Sequence, residues 1–344
     1  MAPNRNDKAR NDKAPNGRAP SGRARFGGLP IAETAALTRK VTRLSVTTAA
    51  ILSALKLAAF IASGSIAALA SLADSALDII AALATYLAVR YAAAPPDREH
   101  RYGHGKGEAF ASLLQAGLVF ASAALICQEA VRHLITPQPI RDEGWALGAM
   151  AISLVLTVIL LRAQTRVLSK AQSVAVAGDR AHYMMDLLSN IAALIGIGLA
   201  ALLHSPRIDA AAGLVVAGWL VWGAVKVFRD SSEQLLDHEL PDGARAEIVS
   251  RMTSDPRVRG VHQLRTRASG PYVHIQMHAD LDPELSLEQA HQVVVDAENR
   301  VLQSFPAADI IIHADPEDRA EAHGGAFAES DRHSDHPAAE AAKA

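Results

Sequence analysis

Residues 71–80 read SLADSALDII, an apolar helix in composition except at Asp74 and Asp78. From Ser65 to Tyr91 the only other ionisable side chains are Arg90 and two tyrosines. At about 1.5 Å of rise per residue, such a stretch can cross a hydrocarbon layer of roughly 30 Å. The two carboxylates therefore fall at membrane depth. An ionised side chain there costs on the order of 2.5–3.5 kcal/mol and is normally kept for a pathway, a relay or a ligand.

The chain has 344 residues, half of them hydrophobic, and a formal net charge of −2. Its charges gather in the first thirty and last hundred residues, leaving an apolar stretch from about 43 to 229 that cannot be one soluble domain. Six apolar spans fill it, at about 43–63, 65–91, 108–134, 144–162, 174–204 and 208–229. Cys127, the only cysteine, excludes a disulfide framework or thiolate cluster and reads as a small core residue. Residues 1–34, rich in Lys and Arg and without the apolar core of a signal peptide, read as a disordered basic tail. Residues 318–344, with His323, His333 and His336, read as a second disordered tail.

The connections alternate in charge. Those near residues 63, 140 and 205 carry few positive charges, whereas PPDREHRYGHGKGE, RAQTRVLSK and the segment holding Lys226 and Arg229 are basic. By the positive-inside rule both termini are expected to be cytoplasmic, in a multi-pass protein of the cell membrane. The second span then runs inward, with Asp74 and Asp78 about 14–20 Å from its outer end. The fifth runs outward and carries His182, Asp186 and Asn190 on one helical face. His182 falls about 12 Å from the inner end, so both polar pairs lie near mid-membrane.

Three carboxylates and an imidazole converging there call for a divalent cation. Asp oxygens with one His nitrogen make a tetrahedral set suited to Zn(II). The imidazole argues against Mg(II) and Ca(II), and the lack of thiolate against Cu(I), while Fe(II), Cd(II), Co(II) and Mn(II) remain open. Asp179 and Asn190, nearer the span edge or uncharged, read as ordinary bundle residues, with support of the ligands from behind as the alternative. The same donors bind protons in competition with metal, so a site that opened inward with metal and outward with protons would act as an exchanger.

Four groups of residues carry a family resemblance: LADSALD in the second span, DREHRYGHGKGE after it, HYMMD in the fifth, and the C-terminal stretches GVHQLRTR, HIQMH, QAH and IIHADP. On these the chain resembles the cation diffusion facilitators, in particular the bacterial zinc and ferrous-iron efflux transporters, over about residues 35–316. The resemblance implies a homodimeric proton antiporter and no enzyme, with Zn2+, Cd2+, Fe2+ or Mn2+ as the ion and protons as counter-ion. It also implies a transport site of Asp74, Asp78, His182 and Asp186, and a loop site of Asp97, His100 and His104. A cytoplasmic binuclear site is implied for His262, His278, His291, His313 and Asp315, bridged by the aspartate. Lys106 and Asp237 match a charge pair that holds the two protomers together. The expected partners are the metal ion, the bilayer and a second copy of the chain; no nucleic acid is expected.

The expected domains are a transport domain over 35–230 and a soluble domain over 231–317. After Pro241 the pattern predicts a helix, two strands joined by SGP, a helix opened by Ser286 with Gln289 in capping-box position, and a last strand over ADIIIHA. The order αββαβ suggests a ferredoxin-like α+β domain with helices on one face of a small sheet. Val273, Ile275 and Met277 share one side of the second strand, and His274 reads as a plain exposed strand residue. Two rival readings use the same residues. A membrane-anchored metal sensor would bind without flux, and a membrane-embedded metalloenzyme would need an open coordination position and a nucleophile signature that the sequence lacks.

Overall fold

The structure is a computed structural model that describes residues 26–63, 66–135, 144–203 and 207–318. Residues 1–25 of the basic tail, the C-terminal tail from 319, and several side chains at the helix ends far from the C-terminal domain lie outside the described residues; Asp74 has its backbone described but not its side chain. Six long helices come first: α1 (Ile31–Ser63), α2 (Ile66–Ala92), α3 (Gly107–Ile135), α4 (Gly144–Leu168), α5 (Val174–Leu203) and α6 (Arg207–Leu235). Their lengths of 25 to 33 residues give about 38–50 Å at 1.5 Å per residue, more than a bilayer core requires. Across their described residues, α1, α2, α3, α4 and α6 each contain a stretch apolar and long enough to cross a membrane. Large apolar side chains such as Ile61, Leu125, Val155 and Val215 are exposed on these helices, a surface suited to lipid.

The helices outrun the expected spans mainly at one end. α1 starts at Ile31, so Ile31–Thr34, placed by the sequence in the disordered tail, form its first turn. Pro30 opens it, its carbonyl accepting from the backbone N–H groups of Glu33 and Thr34. The preceding Phe26 packs on the core of the C-terminal domain, and the Gly27 carbonyl accepts from Ala307 N–H at 3.3 Å. Buried Thr38 and Thr42 lie along the non-apolar part of α1, each hydroxyl donating to the carbonyl four residues back, at 2.8 and 2.9 Å. This satisfies the hydroxyls without breaking the helix.

Within the bundle α1 packs along α2, α3 along α6, and α5 against α3, α4 and α6; α2 and α5 also meet directly. Gly178 permits the α3–α5 contact, because a Cβ there would lie 2.7 Å from Ser112 Oγ. Cys127 belongs to no core: it is exposed on α3, outside the packed stripe of Ala116, Val119 and Ala123.

The C-terminal domain follows the expected order: α7 (Asp242–Met252), β1 (Val258–Ser269), β2 (Tyr272–Leu281), α8 (Leu287–Leu302) and β3 (Ala308–Pro316). The sheet is ordered β1-β2-β3, with β1 antiparallel and β3 parallel to β2. Both helices cover one face. Val273, Ile275 and Met277 of β2 pack with Ile248 and Met252 of α7, with Val293, Ala297 and Val301 of α8, and with Phe305. The α8 residues recur every four positions, which makes one apolar stripe. Ser286 caps that helix in a full capping box: Gln289 N–H donates to Ser286 Oγ at 3.3 Å and Ser286 N–H to Gln289 Oε1 at 2.9 Å.

His274 departs from its expected exposure. It is buried, its Nδ1 lies 3.2 Å from Asp309 Oδ2, and its ring meets Tyr102 edge-on at 5.6 Å. The loop between α2 and α3 covers this face of the strand. Tyr272 Oη donates to the Ala94 carbonyl at 3.2 Å, and Gly105 and Gly270 approach so closely that neither leaves room for a Cβ. Burial lowers the proton affinity of His274, against the pull of Asp309.

Candidate metal-transport site

Asp78 and His182 meet at the α2–α5 contact. His182 is buried, and its Nε2 lies 3.1 Å from Asp78 Oδ1 and 3.5 Å from Asp186 Oδ2. One ligand atom from each residue falls within 4.8 Å of the other two. Helix geometry explains the pairing, since residues four apart on α5 share a face and α2 presents Asp78 to it. Asp74 precedes Asp78 by one turn on the same helix. Two carboxylates about one imidazole at this spacing offer hard oxygen and borderline nitrogen donors, a set that fits Zn(II), Fe(II), Co(II) or Mn(II) chemistry.

The loop donors also converge. Asp97 Oδ1 lies 3.3 Å from His100 Nδ1, and Asp97 Oδ2 lies 3.2 Å from His104 Nε2. Backbone N–H groups of His100 and Glu99 donate to Asp97 and hold its carboxyl below the usual range, against the cost of burial. His104 is buried against Tyr91, ring centroids 4.5 Å apart, and its Nδ1 has no hydrogen-bond partner among the described residues.

In the cytoplasmic domain the β1–β2 register places His262 opposite His278, and the β2–β3 register places His278 opposite His313. Asp315 is the hub, within 2.7 Å of His278 Nδ1, 3.2 Å of His313 Nε2 and 3.3 Å of His262 Nε2. That His262 nitrogen also lies 3.4 Å from Asp280 Oδ1, and it is buried with no well-aligned hydrogen bond among the described residues, which suits a ligand atom. Burial, helped by the neighbouring His313 and His262, lowers the proton affinity of His278 against the pull of Asp315, favouring the neutral imidazole that metal requires. His291, expected with this group, is exposed on α8 and is not among the donors that converge.

Lys106 and Asp237 pair within one chain, Nζ to Oδ1 at 3.0 Å. Asp237 also accepts from Arg267 Nη1 at 3.0 Å, and the Arg267 guanidinium lies over the Tyr102 ring at 5.0 Å. This chain of contacts ties the end of α6, the α2–α3 loop and β1 together. Asp237 is partly buried, which disfavours its charge, yet Lys106 and Arg267 hold its carboxyl below the usual range.

Sequence reasoning missed a set of polar residues between the site and the C-terminal domain. Glu108, buried at the start of α3, accepts from Ser173 Oγ at 2.6 Å, and Ser173 Oγ accepts from Val176 N–H at 3.2 Å, which fixes the start of α5. Asp179, Ser45, Gln115, Gln164 and Thr85 form a second buried cluster. The signal available for it was a lone glutamine in the apolar run SLLQAGLVF; Gln164 stands in RAQTRVLSK, read as a basic connection.

Two family profiles match the chain, one described as the cation efflux transmembrane domain over residues 42–236 and one as the cation efflux protein cytoplasmic domain over 240–317. The chain belongs to the cation efflux family, the cation diffusion facilitators: multi-pass membrane transporters of divalent cations, not enzymes, with a cytoplasmic dimerisation domain. Its relatives include the cation-efflux pump FieF of Salmonella choleraesuis (strain SC-B67) and that of Salmonella newport (strain SL254). Each is 41% identical over 281 residues, which are 81% of this chain and 93% of the relative. A solved structure titled as the mode of action of a putative zinc transporter, CzrB, in its zinc form, matches at 28% identity and a TM-score of 0.23. That match covers 25% of this chain and 98% of the other.

Proposed function

We propose that this transporter exports Zn2+, with Cd2+ and Fe2+ as further substrates, in exchange for protons, and that Asp74, Asp78, His182 and Asp186 hold the ion in transit. The observation that carries this reading is the 3.1 Å approach of Asp78 Oδ1 to His182 Nε2 between two apolar helices, with Asp186 beside them. Metal needs ionised carboxylates and a neutral imidazole, so protons arriving from outside displace it. Each proton moving inward gains about 2.3 kcal/mol per 100 mV of inside-negative potential. Rocking of helices about a fixed mid-membrane site would expose it alternately to each side. The working form in this reading is a homodimer in the cell membrane with both termini cytoplasmic. Metal on Asp97, His100 and His104, and on the cytoplasmic histidines with Asp315, would brace the loop and the dimer.

Flux in proteoliposomes tests the proposal. Zinc uptake should rise with an opposing pH gradient, and Asp78→Ala should lower it at least 100-fold. Uptake indifferent to the gradient would mark a passive channel, and binding without uptake would mark a sensor; either result contradicts the proposal.

A further inference from the structure

Asp179 lies three residues before His182, on the stripe of α5 that also carries Asp186, and it is buried. Its carboxylate accepts three hydrogen bonds from three other helices. Ser45 Oγ of α1 donates to Oδ2 at 2.6 Å, Gln164 Nε2 of α4 to Oδ2 at 2.8 Å, and Gln115 Nε2 of α3 to Oδ1 at 3.2 Å. Gln115 Nε2 also donates to Thr85 Oγ1 at 2.9 Å, and Thr85 stands seven residues after Asp78 on the same face of α2. The two helices that carry the metal donors are thus joined twice, once through Asp78 and His182 and again through Thr85, Gln115 and Asp179.

We propose that Asp179 is a positioning residue for metal transport, whose carboxylate gathers α1, α3 and α4 onto α5 and fixes the rotation that turns His182 and Asp186 toward Asp78. Two features support a specific tie over general polarity. All three donors are buried, and losing the acceptor removes the shortest bond of Ser45 Oγ and of Gln164 Nε2, leaving them the Val41 carbonyl and Ser45 Oγ at 3.3 Å each, while Gln115 Nε2 keeps Thr85 Oγ1. Among the described residues Gln115 Oε1 and Gln164 Oε1 have no hydrogen-bond partner, so both amides are oriented by what their nitrogens bind. A rotation of α5 by one residue position, about 100° at 3.6 residues per turn, would break the three bonds and swing His182 off Asp78 together.

The inference rests on the transport site proposed above, and zinc-uptake kinetics in proteoliposomes test it. Asp179→Ala should raise KM for zinc at least tenfold while Vmax stays within about threefold, because a mis-aimed site binds its ion poorly. Asp179→Asn should return KM to within about threefold of the parent, since the glutamine amides can turn their unpaired oxygens to the new N–H. Ser45→Ala, which removes one donor, should raise KM two- to fivefold and serves alone if Asp179→Ala fails to accumulate. An unchanged KM in Asp179→Ala or Ser45→Ala, with or without a fall in Vmax, overturns the inference. So does an Asn variant as impaired as the Ala variant, which would make charge the operative property. Asp78→Ala run in parallel separates the two proposals: uptake surviving there removes the transport site itself, whereas loss there with a parental KM in Asp179→Ala removes only the positioning role.

Discussion

Asp78 and His182 stand 104 positions apart in sequence, yet Asp78 Oδ1 lies 3.1 Å from His182 Nε2. The α2–α5 contact makes that neighbourhood, and Asp186 completes it. Other buried bonds tie α5 to the remaining helices, at Glu108 with Ser173 and at Asp179 with its three donors.

Zinc should stabilise the cytoplasmic domain through His262, His278, His313 and Asp315. A ligand bound only by the folded state adds about 2.7 kcal/mol when present at 100 times its Kd. The melting temperature of the full-length protein should therefore rise on adding zinc, and Asp315→Ala, which removes the hub, should abolish most of the rise from this site. An equal rise in the variant would place the stabilising ion elsewhere.

The capping box of α8 should contribute measurably. Ser286→Ala removes the acceptor for Gln289 N–H and should cost about 1 kcal/mol. Thermal unfolding monitored on that domain reads it, and Ser286→Asp, which keeps an acceptor, should recover most of the loss.

Asp255 gives a pH dependence of known sign. Arg257 grips its carboxylate, Nη2 to Oδ2 at 2.7 Å, with Arg300 Nη1 at 3.2 Å, and Arg257 above all holds the carboxyl well below the usual range, against the cost of burial. A carboxyl depressed on folding contributes stability that is complete above its unfolded value of about 3.9 and is lost as pH falls toward the folded value. The gap in melting temperature between the parent and Asp255→Asn should be widest near pH 7 and narrow below about pH 4. A gap that stays constant over that range would show that the ion pairs contribute nothing.

What the sequence made legible was what local pattern dictates. Apolar length marked the six helices, a period of two put Val273, Ile275 and Met277 in one core, and Ser286 with Gln289 marked the start of α8. Helical spacing alone put Asp74 with Asp78 and His182 with Asp186, and the expected charge cost at membrane depth argued that the pairs should meet. Long-range packing was not legible. His274 is buried because the α2–α3 loop lays Tyr102, 172 positions earlier, on it, and nothing in the alternation of β2 encodes that cover. Asp179 read as an ordinary edge residue because its partners, on α1, α3 and α4, are uncharged and single. Ile31–Thr34 read as tail because an apolar count stops where the threonine stripe of α1 begins. Lys106 and Asp237, matched to a charge pair between protomers, prove also to be within reach of each other in one chain.

The central claim is that α2 and α5 close their side chains on one ion. The most direct measurement is an anomalous difference map at the zinc edge from crystals of the full-length protein equilibrated with zinc. A peak about 2.0–2.2 Å from the Asp78 and Asp186 oxygens and the His182 nitrogen is predicted. Peaks confined to the loop and the cytoplasmic histidines, with none between α2 and α5 at saturating zinc, would contradict it.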